Sequence, residues 1–192
     1  MSDEDERGFV FKVTVIGDGA VGKTSLIRKF TKGEFKEEYI MTLGAQFTKH
    51  ETVIQGTPIE LVFWDIAGQE SFAQLRAGFY RGSRACIIVF SHEENEHGNT
   101  SFQNISKWLA DIKKHCGFLP IILFGNKIDL VQDIDNLVQN RDYPKSNYNV
   151  EKMVRGWNFL GYYLTSALSG EGVNQAFTVL AEKLHSIYRA FA

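Results

Sequence analysis

Gly17-Asp18-Gly19-Ala20-Val21-Gly22-Lys23-Thr24 decides how this chain is read, because it follows a largely apolar run from Phe9 to Ile16. The spacing G-x-x-x-x-G-K-T lets successive backbone N–H groups bend around glycines at a strand end and form a concave nest for phosphate oxygens. Lys23 adds a positive charge there, and Thr24 offers a hydroxyl to Mg²⁺. Ser25 to Thr31 are expected to open a helix whose positive end faces the same phosphates. A strand before and a helix after are the context such a loop requires.

Outward from the loop, short apolar runs recur at Ile59 to Trp64, Ala85 to Phe90, Ile121 to Phe124 and Leu160 to Leu164. None has a polar face, so all read as mostly buried strands. Between them, Phe102, Ile105, Trp108, Leu109 and Ile112 recur at helical spacing. Val173, Phe177, Leu180, Leu184, Ile187, Tyr188 and Phe191 repeat it near the C-terminus, as a core-facing stripe. The alternation predicts an α/β fold with helices on both faces of a mostly parallel sheet. The more polar segment Thr48 to Gln55, followed by a Gly56-Thr57-Pro58 turn, predicts a hairpin and one antiparallel edge strand, making six strands. Residues 1–8 are expected to form a flexible acidic tail ahead of one domain over 9–192.

Ligands of open α/β sheets sit outside the carboxyl ends of the strands, where three further motifs fall. After Trp64 comes Asp65-Ile66-Ala67-Gly68-Gln69, in which Asp65 can hold Mg²⁺ through water, the Gly68 N–H can reach a γ-phosphate and Gln69 can orient an attacking water. After Gly125 comes Asn126-Lys127-Ile128-Asp129, whose Asp129 carboxylate can accept from the guanine N1–H and 2-amino group. Adenine lacks both donors, and a buried unpaired acceptor costs about 1 to 3 kcal/mol. Thr165-Ser166-Ala167-Leu168 follows the last strand, where the Ala167 N–H could meet the guanine O6.

Composition excludes several alternatives. Among 192 residues, 21 Lys and Arg stand against 23 Asp and Glu, a formal charge of −2, with no basic stripe for nucleic acid. Cys86 and Cys116 lack ligand spacing and a secretory leader, which suits reduced thiols in a cytoplasmic protein. No apolar stretch reaches the roughly 18 residues of a membrane span. The His92-Glu93-Glu94-Asn95-Glu96-His97 run has no third defined ligand and is expected to be a solvated loop.

With these motifs in order over nearly its whole length, the chain resembles the Ras superfamily of small GTPases. The resemblance implies the P-loop NTPase three-layer fold and a GTP/GDP switch that hydrolyses GTP, with Gln69 and Lys23 in the catalytic machinery. It puts phosphates on Gly17, Asp18, Gly19, Ala20, Val21, Gly22, Lys23, Thr24 and Ser25, and guanine between the Lys127 stem and Phe35. Asn126, Asp129, Ser166, Ala167 and Leu168 complete the base site. Mg²⁺ is implied on Thr24 and Thr42 with Asp65 behind it, while Tyr39 and Thr42 lie in what looks like the first switch loop and Gly68 in the second.

Within the superfamily, Leu43-Gly44-Ala45-Gln46-Phe47 and Phe79-Tyr80-Arg81-Gly82-Ser83 resemble Rab segments, and Phe47, Trp64 and Phe79 match the Rab aromatic triad that faces effectors. Gly17 to Thr24, Phe90-Ser91 and Ser166-Ala167-Leu168 read equally well as Rho, and the stretch around Asp135 to Tyr148 lies where Rho proteins carry an inserted helix. The last residues continue a helix without cysteine, so no prenylation site is visible. A monomer is expected, with effectors, exchange factors and a GTPase-activating protein supplying an arginine as partners. The role implied is Rab-like trafficking or membrane-associated regulation. Competing readings are a GTP-dependent binding module without useful turnover, a Rho-like cytoskeletal signalling GTPase and a P-loop small-molecule kinase.

Overall fold

The computed structural model describes residues 8–35, 42–133, 137–138 and 140–190. Six strands, β1 (Phe9–Ile16), β2 (Ala45–Ile54), β3 (Thr57–Ile66), β4 (Ala85–Ser91), β5 (Ile121–Asn126) and β6 (Gly161–Leu164), form one sheet in the order β2-β3-β1-β4-β5-β6. Only β2 runs antiparallel, paired with β3. All other neighbours are parallel. The expected mixed sheet with an antiparallel edge is therefore present.

The sheet divides the core in two, because alternate residues of each strand point to opposite faces. On one face Phe11, Val13 and Phe63 meet Leu26 of helix α1 (Lys23–Lys32) and Phe177 and Leu184 of the C-terminal helix α6 (Val173–Arg189). On the other, Ile16, Ile88 and Phe90 meet Ile105, Trp108 and Ile112 of α4 (Ile105–Cys116) and Val150 of α5 (Asn147–Gly156). Each such side chain contributes about 1.5–3 kcal/mol on burial. Helices α2 (Ala73–Tyr80) and α3 (Glu96–Gln103) belong to this second side through Tyr80 and Phe102.

Three details differ from the sequence reading. The hairpin turns on Gln55 and Gly56, both at positive φ (50° and 82°), and Thr57 and Pro58 already belong to β3. Two adjacent residues at positive φ suit the right-handed strand twist, so the tighter turn wins. The helical pattern around Phe102 to Ile112 is split at Asn104, whose side chain donates to Asp18 Oδ2 at 2.7 Å. Regular pairing of β6 begins at Gly161, although the Leu160 N–H already donates to the Ile121 carbonyl at 2.6 Å. Of the stretch Asp135 to Tyr148, residues 135, 136 and 139 lie outside the described residues, and 140–146 runs as turns into α5.

Candidate functional site

β1 is the fourth strand in from the β6 edge and ends directly in the glycine-rich loop, so the loop stands at the middle of the sheet's carboxyl edge. Gly17 takes φ 142°, and a Cβ there would lie 2.1 Å from the Val89 carbonyl oxygen of β4. Gly22 caps α1 at φ 98° without a side chain, so the first-turn N–H groups receive no side-chain acceptor from the cap. Lys23 curls back into the nest, donating to the carbonyls of Gly17 (2.8 Å) and Asp18 (2.7 Å). Burial pushes its pKa down to about 8, against the opposing pull of Asp65 and Asp18.

Three oxygens converge beside Lys23. The Thr24 hydroxyl donates to Asp65 Oδ2 at 2.5 Å and lies 3.1 Å from the Thr42 hydroxyl, which is itself 3.4 Å from Asp65 Oδ2. Burial raises the Asp65 pKa, opposed by the Thr24 bond and by Lys23. Its Oδ1 is buried without a hydrogen-bond partner, an arrangement that needs a cation or water to be satisfied. Two hydroxyls and one carboxylate are hard oxygen donors too few to cage a metal alone, which fits Mg²⁺ shared with phosphate and water. Among the described residues there is no group of three or more His, Cys, Asp or Glu that could hold a metal otherwise.

The segment after β3 closes onto the loop. A Cβ on Gly68 would lie 2.5 Å from backbone atoms of Gly17, Asp18 and Gly19, so only glycine permits this approach. Arg76 of α2, buried, donates to the Gly68 (3.3 Å) and Gln69 (2.9 Å) carbonyls and stacks over the Trp108 ring at 4.4 Å. The Trp108 indole N–H in turn donates to Asp18 Oδ1 at 2.7 Å. Helix α4 thus ties the phosphate loop to the Gln69 segment. The Asp18 side chain faces this helix, so any contact it makes with phosphate is through its backbone.

At the other end, β5 delivers Asn126, whose amide donates to the Val21 carbonyl (2.9 Å) and whose Oδ1 accepts from the Ala167 N–H (3.1 Å). Ser166 donates to Asp129 Oδ1. Lys127 adopts φ 65° and its ammonium pairs with Glu93 at 2.7 Å. A cavity of about 460 Å³ joins both ends, walled by Gly19, Lys23, Thr24, Ser25, Phe35, Thr42, Gly68, Gln69, Asn126, Lys127, Asp129, Ala167 and Leu168 among others.

The structure thus gathers most of the expected residues in one cleft. Gly17, Asp18, Val21, Asp65 and Ser166 support the walls from behind, and Tyr39 lies outside the described residues. Arg28 and Leu130 also line the cavity. Their signal was positional: Arg28 stands one helical turn after Thr24, and Leu130 follows Asp129. Arg76, Trp108 and Asn104 had no local signal, since their roles come from tertiary approach.

The His92 to His97 run is solvated at Glu94, Asn95 and Glu96, which are exposed, but both of its histidines are bonded into the fold. His92 is fully buried, its Nε2 2.7 Å from the Tyr162 hydroxyl, and His97 Nε2 lies 2.8 Å from the Gly19 carbonyl oxygen. Burial and the nearby Lys145 push the His92 pKa from 6.5 to about 3. An unfolded chain therefore binds a proton at His92 that the folded chain refuses, so stability present above about pH 6.5 is lost as pH falls toward 3. In thermal melts, His92→Gln is expected to flatten this part of the acid dependence; a profile parallel to that of the unaltered protein would refute it.

On the β2–β3 side, Phe47, Trp64 and Phe79 lie in series, with ring centroids 6.0 and 6.3 Å apart. Phe47 is 67% exposed, and Lys12 Nζ sits 3.9 Å from the Trp64 centroid.

The family model described as Ras family matches residues 12–186. The chain is 33% identical over 184 residues to GTP-binding protein ypt3 of Schizosaccharomyces pombe, covering 95% of this chain and 79% of that protein. It is 35% identical over 181 residues to GTP-binding protein RHO1 of Saccharomyces cerevisiae, covering 92% and 84%. It is 39% identical over 130 residues to Ras-related protein Rab-9A of Homo sapiens, covering 65% and 62%. With the phosphate nest, the hard-oxygen cluster and the Asn126–Asp129 end in one cleft, the chain belongs to the Ras family and is a small GTPase, a guanine-nucleotide-binding GTP hydrolase with Rab, Ypt and Rho relatives.

Proposed function

We propose that the cleft works as a Mg²⁺-dependent switch in Rab-like regulation at membrane surfaces, in a cytoplasmic protein peripheral to the bilayer. The observation that carries this reading is the position of Thr42. Its hydroxyl sits in the oxygen cluster with Thr24 and Asp65, and the chain then runs through exposed Leu43 to exposed Phe47 of the aromatic face. Whatever holds Thr42 also holds that face. Thr24 and Thr42, with Asp65 behind them, would hold Mg²⁺, which would supply charge neutralisation to the phosphates when bound. Lys23 holds position at the phosphates, Gly68 offers its N–H, and Gln69 orients the attacking water. Loss of the γ-phosphate frees Thr42 and Gly68 together, and the Phe47, Trp64 and Phe79 face changes with them.

Catalysis of this kind is electrostatic and wants a positive charge beside the phosphate bridge, which a partner's arginine would bring past Gly19. In single-turnover assays with an activator, Gln69→Leu is expected to lower stimulated hydrolysis on the order of 10²-fold, the scale of losing one positioned group. GTP binding should stay unchanged. Undiminished stimulated hydrolysis would remove Gln69 from its role. The effector reading is checked by GTP-dependent capture of Rab-type effector fragments, which Phe47→Ala should abolish. Capture independent of the loaded nucleotide would refute it.

A further inference from the structure

Glu93 and His97 lie outside the cavity wall, yet they join its two ends. Glu93 Oε2 accepts from Lys127 Nζ at 2.7 Å and from the Ser91 hydroxyl at 2.9 Å, and it lies 3.3 Å from His97 Nδ1. His97 Nε2 then meets the Gly19 carbonyl oxygen at 2.8 Å. The chain of contacts runs from the lysine at the base end, through one carboxylate and one imidazole, to the phosphate loop.

The backbone beneath is fixed for the purpose. Lys145, fully buried, donates to the Glu93 carbonyl at 2.6 Å, and the His92 N–H donates to the Asn126 carbonyl at 2.8 Å. Helix α3 presses on the same carbonyl so closely that a Cβ on Gly98 would lie 2.0 Å from the Glu93 oxygen. Burial works against ionisation of Glu93, but the bonds from Lys127 and Ser91, the Lys127 charge and the His97 contact hold its carboxyl below the usual range.

Both ring nitrogens of His97 face acceptors, a carboxylate and a carbonyl. A neutral imidazole carries one N–H, so both bonds form together only in the imidazolium. The groups brought to this ring are the Glu93 carboxylate from the end of β4, Lys127 behind that carboxylate from the end of β5, and the Gly19 carbonyl from the phosphate loop.

We infer that Glu93 and His97 form a strut coupling Lys127 to Gly19, and that this strut sets how fast the nucleotide leaves. The inference rests on the guanine-nucleotide reading of the cleft. Both are positioning residues: they fix the lysine stem against the base and the loop against the phosphates, so that the ends cannot relax independently. With the strut intact, release requires both ends to loosen at once.

The test is release of a fluorescent GDP analogue from the Mg²⁺-loaded full chain, chased with excess GDP. Glu93→Gln and His97→Gln should each speed release about three- to tenfold, the loss of one partly exposed charge-assisted bond. The double variant should be no faster than about twofold beyond the faster single variant, because either change breaks the same strut. Unchanged release rates or independent multiplication of the two effects would overturn the strut. Failure of the unaltered protein to bind GDP would overturn the cleft reading beneath it, an outcome visible before any variant is compared.

Discussion

Gly22→Ala is expected to abolish nucleotide retention and to destabilise the protein by about 3 kcal/mol or more. At φ 98° an L side chain is strained, and the new Cβ would lie 2.3 Å from Asn126 Nδ2. Asn126 has nowhere to go. Its amide satisfies the Val21 carbonyl and its Oδ1 the Ala167 N–H, and it is 1% exposed. Moving it leaves two buried backbone groups unpaired, each worth about 1–3 kcal/mol, and disturbs phosphate and base ends together. Gly33→Ala is the control. That residue also has positive φ, 68°, but no atom lies within 4 Å of its Cβ position, so only the backbone cost of about 1 kcal/mol applies. Thermal melting and titration with a fluorescent GDP should separate the two variants; equal effects would refute the clash.

Asp129→Asn should weaken GDP binding by about 10²-fold or more, since two hydrogen bonds to a carboxylate are each worth about 1.5–3 kcal/mol. One carboxylate oxygen receives the Ser166 hydroxyl, which orients the group for the base. An amide in its place keeps one acceptor for the purine N1–H but turns a donor toward the guanine 2-amino group. Xanthine carries a carbonyl at that position, so the variant should favour xanthosine diphosphate in displacement assays. A variant that still prefers GDP would take the base-reading role away from Asp129.

Legibility in the sequence followed the range of the interactions. β1 is bounded at Phe9 and Ile16 as its apolar run predicts, and β4 and β5 extend their runs by one and two residues. Strands buried on both faces, as β4 and β5 are throughout and β1 is from Val13 on, write their own limits. By contrast, β3 alternates and β6 is only half-buried, each lying nearer a sheet edge. The phosphate loop, the Asp65–Gln69 segment and the Asn126–Asp129 segment were legible because their chemistry depends on local spacing. What escaped were groups with distant partners. Asn104, where α3 passes into α4 with its backbone still helical, bonds Asp18 86 positions away, and buried His92 meets Tyr162 70 positions away. Of the His92 to His97 run, Glu94, Asn95 and Glu96 are exposed as composition suggests, whereas His92, Glu93 and His97 are held by Tyr162, Lys145 and Gly19. The hairpin was misplaced because Gly56-Thr57-Pro58 carries turn composition, whereas the twist is met by Gln55 and Gly56.

The anchoring of Asp18 on Asn104 and Trp108 has one further consequence. With that side chain committed to Asn104 and Trp108, and Ala20 and Val21 small or buried, the loop before Thr24 offers a phosphate main chain and the Lys23 ammonium. A main-chain grip on phosphate does not distinguish one nucleotide from another. On the proposed reading, identity would be read along the same carboxyl edge of the sheet, at the ends of β5 and β6. On that reading the generic grip on phosphate and the specific reading of the base rest on separate strand ends, so a substitution at Asp129 should alter the choice of base without altering the phosphate nest.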